Sequence, residues 1–553
     1  MDPHYTLVRH ISLFLLCLPV VTMGQSSLVE VYQVLQQNCM PCHSNSQKES
    51  GLDLEGAGAT ENLRALNVYA KLVGKAPVTA SALARGEQLI YPGRPDKSFL
   101  FKKINGGLDP LLTLTPSDGQ AMPAYGGPVM SNNDREVIRQ WIQYGAKSGG
   151  TQFDRQLIDD FYANGGLQSF PDGPPPAPTP DDGFQVHMGP FYLPKGGEVE
   201  YFQKYELDLP DDLEVTRIEV LIGDDSHHFI IYDWDSPSDA AAVPAGLRLD
   251  PYHAGIGLVA AVQYAQDLVL PEGTAFHWEK DLVLDLNSHY INYSGILPLQ
   301  AEAYLNIYTQ PKGTAKQQMF STLLVNPNIP IPNNNTLVTH TQSIIYPNAE
   351  VFLWGMMGHT HQYGKSYKVY KRLPGSQKGE ILYDGACPNG VPGCPSPWFD
   401  YQHIPMRYFD EFLPVTINSQ NGLLHEASWI NDGPTSVNFG PTSDDEMMVL
   451  ILMYVTDTTG LTTDVDIPNG VAPGILKLSP NPTTGQVNIN VPGFEEWLTL
   501  KVYDVTGKVV FQTSFRGSTH SIDLSAYNSS MYFIRVQDLH GKVDLIERII
   551  LLD

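Results

Sequence analysis

The chain has 553 residues, which is too many for one hydrophobic core and predicts several domains. Its formal net charge of −26 argues against nucleic acid or an anionic membrane surface as a partner. Short Val, Ile, Tyr and Phe runs lie between turn residues, and the 48 Gly and 43 Pro fit a loop-rich chain. The predicted fold class is therefore multidomain and mainly β.

The first 24 residues have the pattern of a secretory signal peptide. His4, Arg9 and His10 precede an apolar run at 11–21, and Gly24 offers a small residue for cleavage. The run is too short to span a bilayer, and no later stretch has a membrane-spanning pattern. We therefore expect an exported protein with no transmembrane segment.

Residues 27–147 form the first predicted domain, a small all-α unit. One apolar helical pattern runs into Cys39, and another begins with Ser131 as N-cap and stops at Gly145. The stretch 148–183 follows as a Pro/Gly-rich linker. Its Pro-rich part, 171–183, is interpreted as semi-stiff and is expected to let the first domain swing.

The remainder of the chain has strand patterns, both alternating and continuously apolar. The part from 184 to 457 is longer than one ordinary sandwich, so we divide it into two β-sandwiches at 184–315 and 316–457. A short linker at 459–474 precedes strand patterns with Pro/Gly turns over 475–553. These patterns predict a small C-terminal β-sandwich.

The motif Cys39-Met-Pro-Cys42-His43 predicts a covalently attached haem c. The two thiols can each bond one vinyl group, and the imidazole that follows is then held beside the iron. Met122, in a Pro-flanked loop, is the predicted second axial ligand, and Met130 is the alternative. A redox CxxC, half of a zinc site and a merely packed methionine are the competing interpretations.

The first domain resembles a bacterial class I cytochrome c module. The segments NCMPCH, YPGRPDKSFLFKKI, AMPAYGG and REVIRQWIQYGA carry the resemblance, which covers most of residues 30–147. The resemblance implies electron transfer and says nothing about a substrate.

Cys387 and Cys394 close a short Pro/Gly loop in the third predicted domain. In an exported protein, a disulfide bond is the natural expectation for such a pair. A metal clip is less favoured, because no other thiol is free to join it.

Histidine clusters in the β region suggest metal binding. His359 and His361 stand at i and i+2 and can converge on one metal. Adjacent His227 and His228 can share a metal only at a strand end or a bulge, or through different ring nitrogens. Adding the thioether of Met447 to imidazole ligands favours copper. The alternatives are incidental surface or core histidines and a methionine that only packs.

The order of these residues resembles the type II copper, ascorbate-dependent monooxygenases, which include dopamine β-monooxygenase and the peptidylglycine hydroxylating enzyme. SHHFIIYDW, GHTHQYGKSYKVY and TSDDEMMVLILMY carry the resemblance over about 184–457. The family fold is two consecutive β-sandwiches, with one copper on each, facing across a cleft. The resemblance implies that the electron-supplying copper is held by His227, His228 and His289, with His277 as the rival of His289. It implies that the oxygen-activating copper is held by the catalytic ligands His359, His361 and Met447.

The same resemblance implies hydroxylation of a C–H bond of a small molecule by O2. Ascorbate or another external reductant would supply electrons, and the fused haem would deliver or relay them. Met357 stands where the peptidylglycine enzymes place a substrate-binding Arg, so we do not expect a peptidylglycine substrate. A non-catalytic exported electron-transfer or copper-binding protein is the alternative.

Residues 475–553 resemble the type IX secretion sorting domain of Bacteroidetes. SPNPTTG, VYDVTGKVV and MYFIRV carry this resemblance. It implies export through the type IX secretion machinery to the surface or surroundings of a Gram-negative cell. A small adhesive sandwich is the competing interpretation.

Overall fold

The computed structural model describes residues 26–124, 127–223, 225–234, 236–252, 255–262, 266–346, 348–386, 399–401, 404–440, 445–461, 476–491, 497–503, 508–538 and 544–552. The predicted signal peptide and the Cys387–Cys394 pair lie outside these ranges, as does most of the predicted 459–474 linker. None of the helices in the described ranges has the length and apolar character needed to cross a membrane. The chain divides into two compact units, the first up to Gly166 with Pro244–Arg248, and the second made of Leu167–Val243 and Leu249–Asp553.

The first unit is built from helices. They are α1 Ser27–Cys39, α2 Glu61–Leu72, α3 Ala80–Ala84, α4 Phe99–Ile104, α5 Asn132–Gln143 and α6 Arg155–Asn164, with 3-10 turns at Glu49–Gly51, Pro95–Lys97 and Pro116–Asp118. The predicted start of α5 is confirmed, because the Ser131 side chain caps the helix by accepting from the Asp134 N–H. The buried faces of α1 and α5 form much of the core of this unit.

The stretch predicted as a linker, 148–183, is not a free linker over its whole length. It contains α6, which the Asp154 side chain caps and which buries Ile158 and Phe161 three residues apart. The Gly and Pro residues on both sides of this short amphipathic helix make the whole stretch resemble a linker in composition.

The Pro-rich part of the same stretch is hydrogen-bonded to the sandwich that follows it. Gln185 Nε2 donates to the Pro175 carbonyl at 3.1 Å, and Asn306 Nδ2 donates to the Pro176 carbonyl at 3.0 Å. Extended Pro-rich backbone leaves its carbonyls open, so neighbouring amides can bind them. Residues 175–176 are therefore held on the first sandwich.

The first sandwich contains two sheets. Its strands are β1 Leu167–Gln168, β2 Gly183–Leu193, β3 Glu198–Glu206, β4 Leu213–Ile222, β5 Ser226–Trp234, β7 Ile256–Val262, β8 Gln266–Val269, β9 Thr274–Trp278, β10 Val283–Ile291, β11 Leu299–Pro311 and β12 Gln317–Gln318. Helix α7 is Pro237–Ala242, and strand β6, Gly246–Arg248, belongs to the first unit. Sheet A has the order β1-β11-β4-β9-β12, with β2 also on β11 and β8 on β4, and sheet B has the order β3-β10-β5-β7.

The second sandwich begins at residue 320, close to the predicted boundary at 315–316. Its strands are β13 Phe320–Val325, β14 Leu337–Ile344, β15 Ala349–His359, β16 Gly364–Leu373, β17 Gln377–Asp384, β18 Arg407–Ile417, β19 Gly422–Ile430 and β20 Val449–Val455, with a 3-10 turn at Pro374–Ser376. Sheet C has the order β13-β20-β15-β18, and sheet D has the order β14-β19-β16-β17.

One apolar cluster joins the two sandwiches. Phe202, Tyr232 and Leu258 of sheet B belong to the same buried cluster as Met357 and Ile451 of sheet C. Such burial excludes water and is the main favourable contribution to holding the two sandwiches together.

The C-terminal part of the second unit, from residue 476, has two further sheets. Its strands are β21 Lys477–Ser479, β22 Gln486–Asn490, β23 Trp497–Tyr503, β24 Val509–Arg516, β25 Thr519–Asp523, β26 Ser530–Asp538 and β27 Asp544–Leu551. The sheet orders are β21-β22-β25 and β24-β23-β26-β27. Alternating apolar residues such as Leu498, Leu500 and Ile534 form a separate core between them.

Candidate metal centres

His359 and His361 lie at the end of β15, beside the start of β20. His359 pairs with Val449 in an antiparallel register, and Met447 lies two residues before Val449. The two imidazole ring centroids are 5.2 Å apart. All three predicted ligands are half-buried, so they line a surface accessible to a small ligand.

The hydrogen bond of His361 fixes which ring nitrogen can bind a metal. Its Nδ1 lies 3.0 Å from the carbonyl oxygen of Asp445. Because a carbonyl can only accept, Nδ1 must carry the proton, and Nε2 then carries the lone pair. This is the outer hydrogen bond that metal-bound histidines ordinarily make.

The buried carboxylate of Glu446 connects the two loops that carry the predicted ligands. Glu446 Oε2 accepts from the His361 N–H at 2.9 Å and from the Met447 N–H at 3.2 Å. Its two oxygens also accept from the Tyr363 N–H at 2.7 Å and from Trp429 Nε1 at 2.8 Å. One side chain therefore holds the histidine loop against the methionine.

Burial raises the pKa of Glu446 to about 6, although the N–H groups of His361, Tyr363, Trp429 and Met447 oppose that rise. All four contacts are donors, and they match an ionised carboxylate. At neutral pH the group is therefore an anion next to the proposed metal ligands.

The first-sandwich histidines and Glu200 lie in one row across three strands of sheet B. His289 of β10 pairs with His228 of β5 on one side and with Glu200 of β3 on the other. The ring centroids of His228 and His289 are 5.2 Å apart. The register between β10 and β5 shifts beside this row, and the extra residue is His227. A bulge is one of the arrangements under which adjacent histidines can share a metal.

Two carboxylates lie against this row. Glu198 Oε1 is 2.7 Å from His289 Nε2, and Glu200 Oε1 is 3.7 Å from His228 Nε2. Asn287 Nδ2 also donates to Glu200 Oε1 at 3.0 Å. The row therefore carries negative charge on its β3 side, which favours a bound cation.

His277, the rival of His289, lies on the other sheet of the same sandwich. It belongs to β9 of sheet A, where it pairs with Glu214. The structure thus brings His289, and not His277, beside His228.

Both histidine groups lie on the faces where the two sandwiches meet. A Cβ on Gly358 would lie 2.2 Å from the ring of Tyr367 in sheet D, so the next residue, His359, faces away from sheet D. Ser321 shares that outer face of sheet C, and its hydroxyl donates to the Val259 carbonyl of the first sandwich at 3.0 Å.

The same alternation orients the first-sandwich group. His228, Ile230 and Tyr232 are at i, i+2 and i+4 of β5, so they share one face of sheet B. Tyr232 belongs to the apolar cluster shared with the second sandwich, and Ile230 packs against it. The row of His228 and His289 therefore lies on the same face.

Within the described ranges, no three His, Cys, Asp or Glu side chains are grouped closely enough to hold a metal ion. None of these side chains is the third predicted ligand of either site. Met447 is not one of these residue types, and the side chain of His227 lies outside the description.

The CxxCH motif lies where the sequence placed it, at the end of α1. Cys39 is the last residue of the helix, and its carbonyl accepts from the His43 N–H at 2.9 Å. His43 Nδ1 is buried and has no hydrogen-bond partner among the described residues. Burial first, and then the neighbouring Cys42, raise the pKa of the Cys39 thiol to about 12. A redox CxxC needs a lowered thiol pKa, so these residues fit haem attachment better.

The two methionine candidates for the haem differ in exposure. Met122 is half-buried in a loop, and its N–H donates to the Lys103 carbonyl at 2.6 Å. Met130 is 2% exposed. A half-buried thioether remains accessible to a cofactor, which favours Met122.

Residues 477–551 match the family model of the secretion system C-terminal sorting domain. The last unit is therefore a type IX secretion sorting domain, as predicted. It follows that the chain is a secreted or cell-surface protein of a Bacteroidetes-like bacterium. No curated protein matches the chain.

Two solved structures show limited similarity. PorZ, a surface component of the type IX secretion system of Porphyromonas gingivalis, is 20% identical over 18% of this chain and 14% of its own, with a TM-score of 0.12. A β-glucuronidase from Ruminococcus gnavus is 11% identical over 39% of this chain and 36% of its own, with a TM-score of 0.14. The chain spans well under two thirds of either protein, and TM-scores this low carry no argument.

Sequence reasoning assigned no role to Glu198, Glu200 or Glu446. A signal for the first two exists in the Glu-Val-Glu of β3, because residues at i and i+2 share a strand face. Glu446 stands next to Met447, but nothing in the sequence shows that its carboxylate turns inward to bind backbone N–H groups.

Proposed function

We propose that the protein is a secreted, copper-dependent monooxygenase that hydroxylates a C–H bond of a small molecule with O2. One oxygen atom enters the product and the other leaves as water, so two electrons and two protons are needed from outside. Substrate, O2 and an external electron donor are its proposed small-molecule partners.

The observation that carries this proposal is the arrangement of His359, His361 and Met447. Two imidazoles and a thioether form a donor set that suits copper, particularly Cu(I). Because the proton is on Nδ1 of His361, the lone pair that can bind a metal is on Nε2. Glu446 accepts from the N–H groups of His361 and Met447 and so holds both loops in place. Copper supplies one-electron chemistry at such a site by changing between two oxidation states.

His227, His228 and His289 are the proposed ligands of a second copper. This group and the His359 group lie on the faces that the two sandwiches turn toward each other. A substrate bound between the sandwiches could therefore meet both sites, while the surrounding apolar cluster keeps bulk water out.

The helical unit is the proposed source of electrons. Cys39 and Cys42 would hold haem c covalently, with His43 and Met122 as axial ligands. The raised pKa of Cys39 supports haem over a redox dithiol. The haem delivers or relays electrons to copper, with ascorbate or another reductant as the external donor.

Oxidation of the prereduced haem tests this proposal. The full chain, matured with haem, is reduced and mixed with O2 in the presence or absence of copper, and the haem absorbance is followed. We expect faster oxidation with copper, and we expect Met447→Ala to remove the acceleration. Met531→Ala, which changes a 38% exposed methionine of the C-terminal sorting domain, serves as the matched control.

Equal rates with and without copper would contradict the proposal. Acceleration by copper without substrate-dependent oxygen uptake would favour the alternative, a non-catalytic exported electron-transfer or copper-binding protein.

A further inference from the structure

A carboxylate outside the predicted ligand set contacts the first-sandwich histidine row. Glu198 Oε1 lies 2.7 Å from His289 Nε2. A carboxylate in this contact accepts, so the ring proton stays on Nε2 and Nδ1 carries the lone pair. The pair is part of β3 and β10, which are hydrogen-bonded along their whole register.

The surrounding contacts hold this pair in one orientation. The His289 side chain is 11% exposed, and its ring lies against that of His228 in a T-shaped arrangement. The neighbouring carboxylate, Glu200, is bound by Asn287, so it is not free to replace Glu198 on His289. Glu198 itself is 47% exposed, which makes the fold insensitive to its replacement.

We propose that Glu198 is a positioning residue for the copper of the first sandwich, acting through His289. Its negative charge strengthens the donor power of the imidazole, which stabilises Cu(II) more than Cu(I). Glu198 thereby lowers the reduction potential of this copper and makes it the better electron donor once reduced. This inference rests on the proposed copper function and adds a residue that sets the direction of electron flow.

The test uses the full chain with His361→Ala, so that copper at the second sandwich is removed and the first site is observed alone. Glu198→Gln keeps the size of the side chain and removes its charge. Glu206→Gln, at the other end of β3, is the matched control. Copper alone is the probe, and the readouts are Cu(II) affinity by chelator competition, the reduction potential and the copper EPR spectrum.

We expect Glu198→Gln to weaken Cu(II) binding by about 10- to 100-fold. A tenfold loss confined to Cu(II) would raise the reduction potential by about 59 mV. Glu198→Asp, which keeps the charge, should recover part of the shift, and Glu206→Gln should leave affinity and potential unchanged.

Two results would overturn the inference. One is an unchanged affinity and potential in Glu198→Gln, which would leave the copper proposal standing. The other is no copper at all in the His361→Ala protein, which would show that the first site holds none. If the shift occurs but the chain with both histidine groups intact hydroxylates no substrate, the inference is supported and the monooxygenase proposal fails.

Discussion

Replacing Glu446 with Gln should weaken copper binding at the second-sandwich site, because Glu446 holds the loops that carry its ligands. The carboxylate accepts four N–H groups through two oxygens. Gln offers only one oxygen. If that oxygen takes the place of Oε2, it keeps the bonds from His361, Trp429 and Met447, but the amide NH2 then faces the Tyr363 N–H.

The cost can be worked from that geometry. A buried N–H left without an acceptor costs about 1–3 kcal/mol. The raised pKa of Glu446 means that ionisation at neutral pH already costs about 2 kcal/mol, and Gln avoids this cost. That cost already includes the four hydrogen bonds to the charged group, which lower the pKa. The two contributions nearly cancel, so we expect the free energy of unfolding to change by about 1 kcal/mol or less, with the loss of protection confined to the Tyr363 N–H.

The assay is hydrogen exchange, read on peptides from the end of β15 and the start of β20, together with copper affinity. Protection should fall in the peptide that contains Tyr363, just after β15, and copper binding at His361 and Met447 should weaken by about 10- to 100-fold. Glu350→Gln, on the exposed start of the same strand, is the control. Wild-type protection and copper binding in Glu446→Gln would refute the reasoning.

Three further predictions concern other parts of the chain. Burial lowers the pKa of His425 to about 4, so the free energy of unfolding should be about 3 kcal/mol lower at pH 4 than above pH 6.5. Hydrogen exchange of β19 measures this change, and His425→Gln should lack it. Cys42→Ser should leave haem attached by one bond at most, seen as a changed absorbance spectrum of the reduced haem. An unchanged spectrum would contradict the CxxCH interpretation. Deleting residues 476–553 should retain the protein in the periplasm, as cell fractionation would show; continued export would contradict the sorting role.

The parts of the structure that local pattern controls were predictable. Ser131 is a capping residue followed by an apolar helical face, so the start of α5 could be read from the sequence. His359 and His361 alternate with Thr360, so their proximity followed from strand periodicity. A bulge is one of the arrangements under which His227 and His228 can share a metal, and the strand register shifts at residue 227 as such a bulge requires.

Contacts between distant segments were not predictable. Glu198 and His289 are 91 residues apart, and only the pairing of β3 with β10 brings them together. The turn of Glu446 toward backbone N–H groups depends on how the loops after β15 and before β20 meet. The choice between His277 and His289 needed the assignment of their strands to different sheets.

Copper and iron content tests the central claim most directly. Elemental analysis on the full chain, matured with haem and loaded with copper, should give two copper ions per haem iron. Both Met447→Ala and His359→Ala should lower this to one copper while leaving the iron unchanged. One iron with no bound copper would contradict the account and leave a secreted protein with a haem domain and a pair of β-sandwiches.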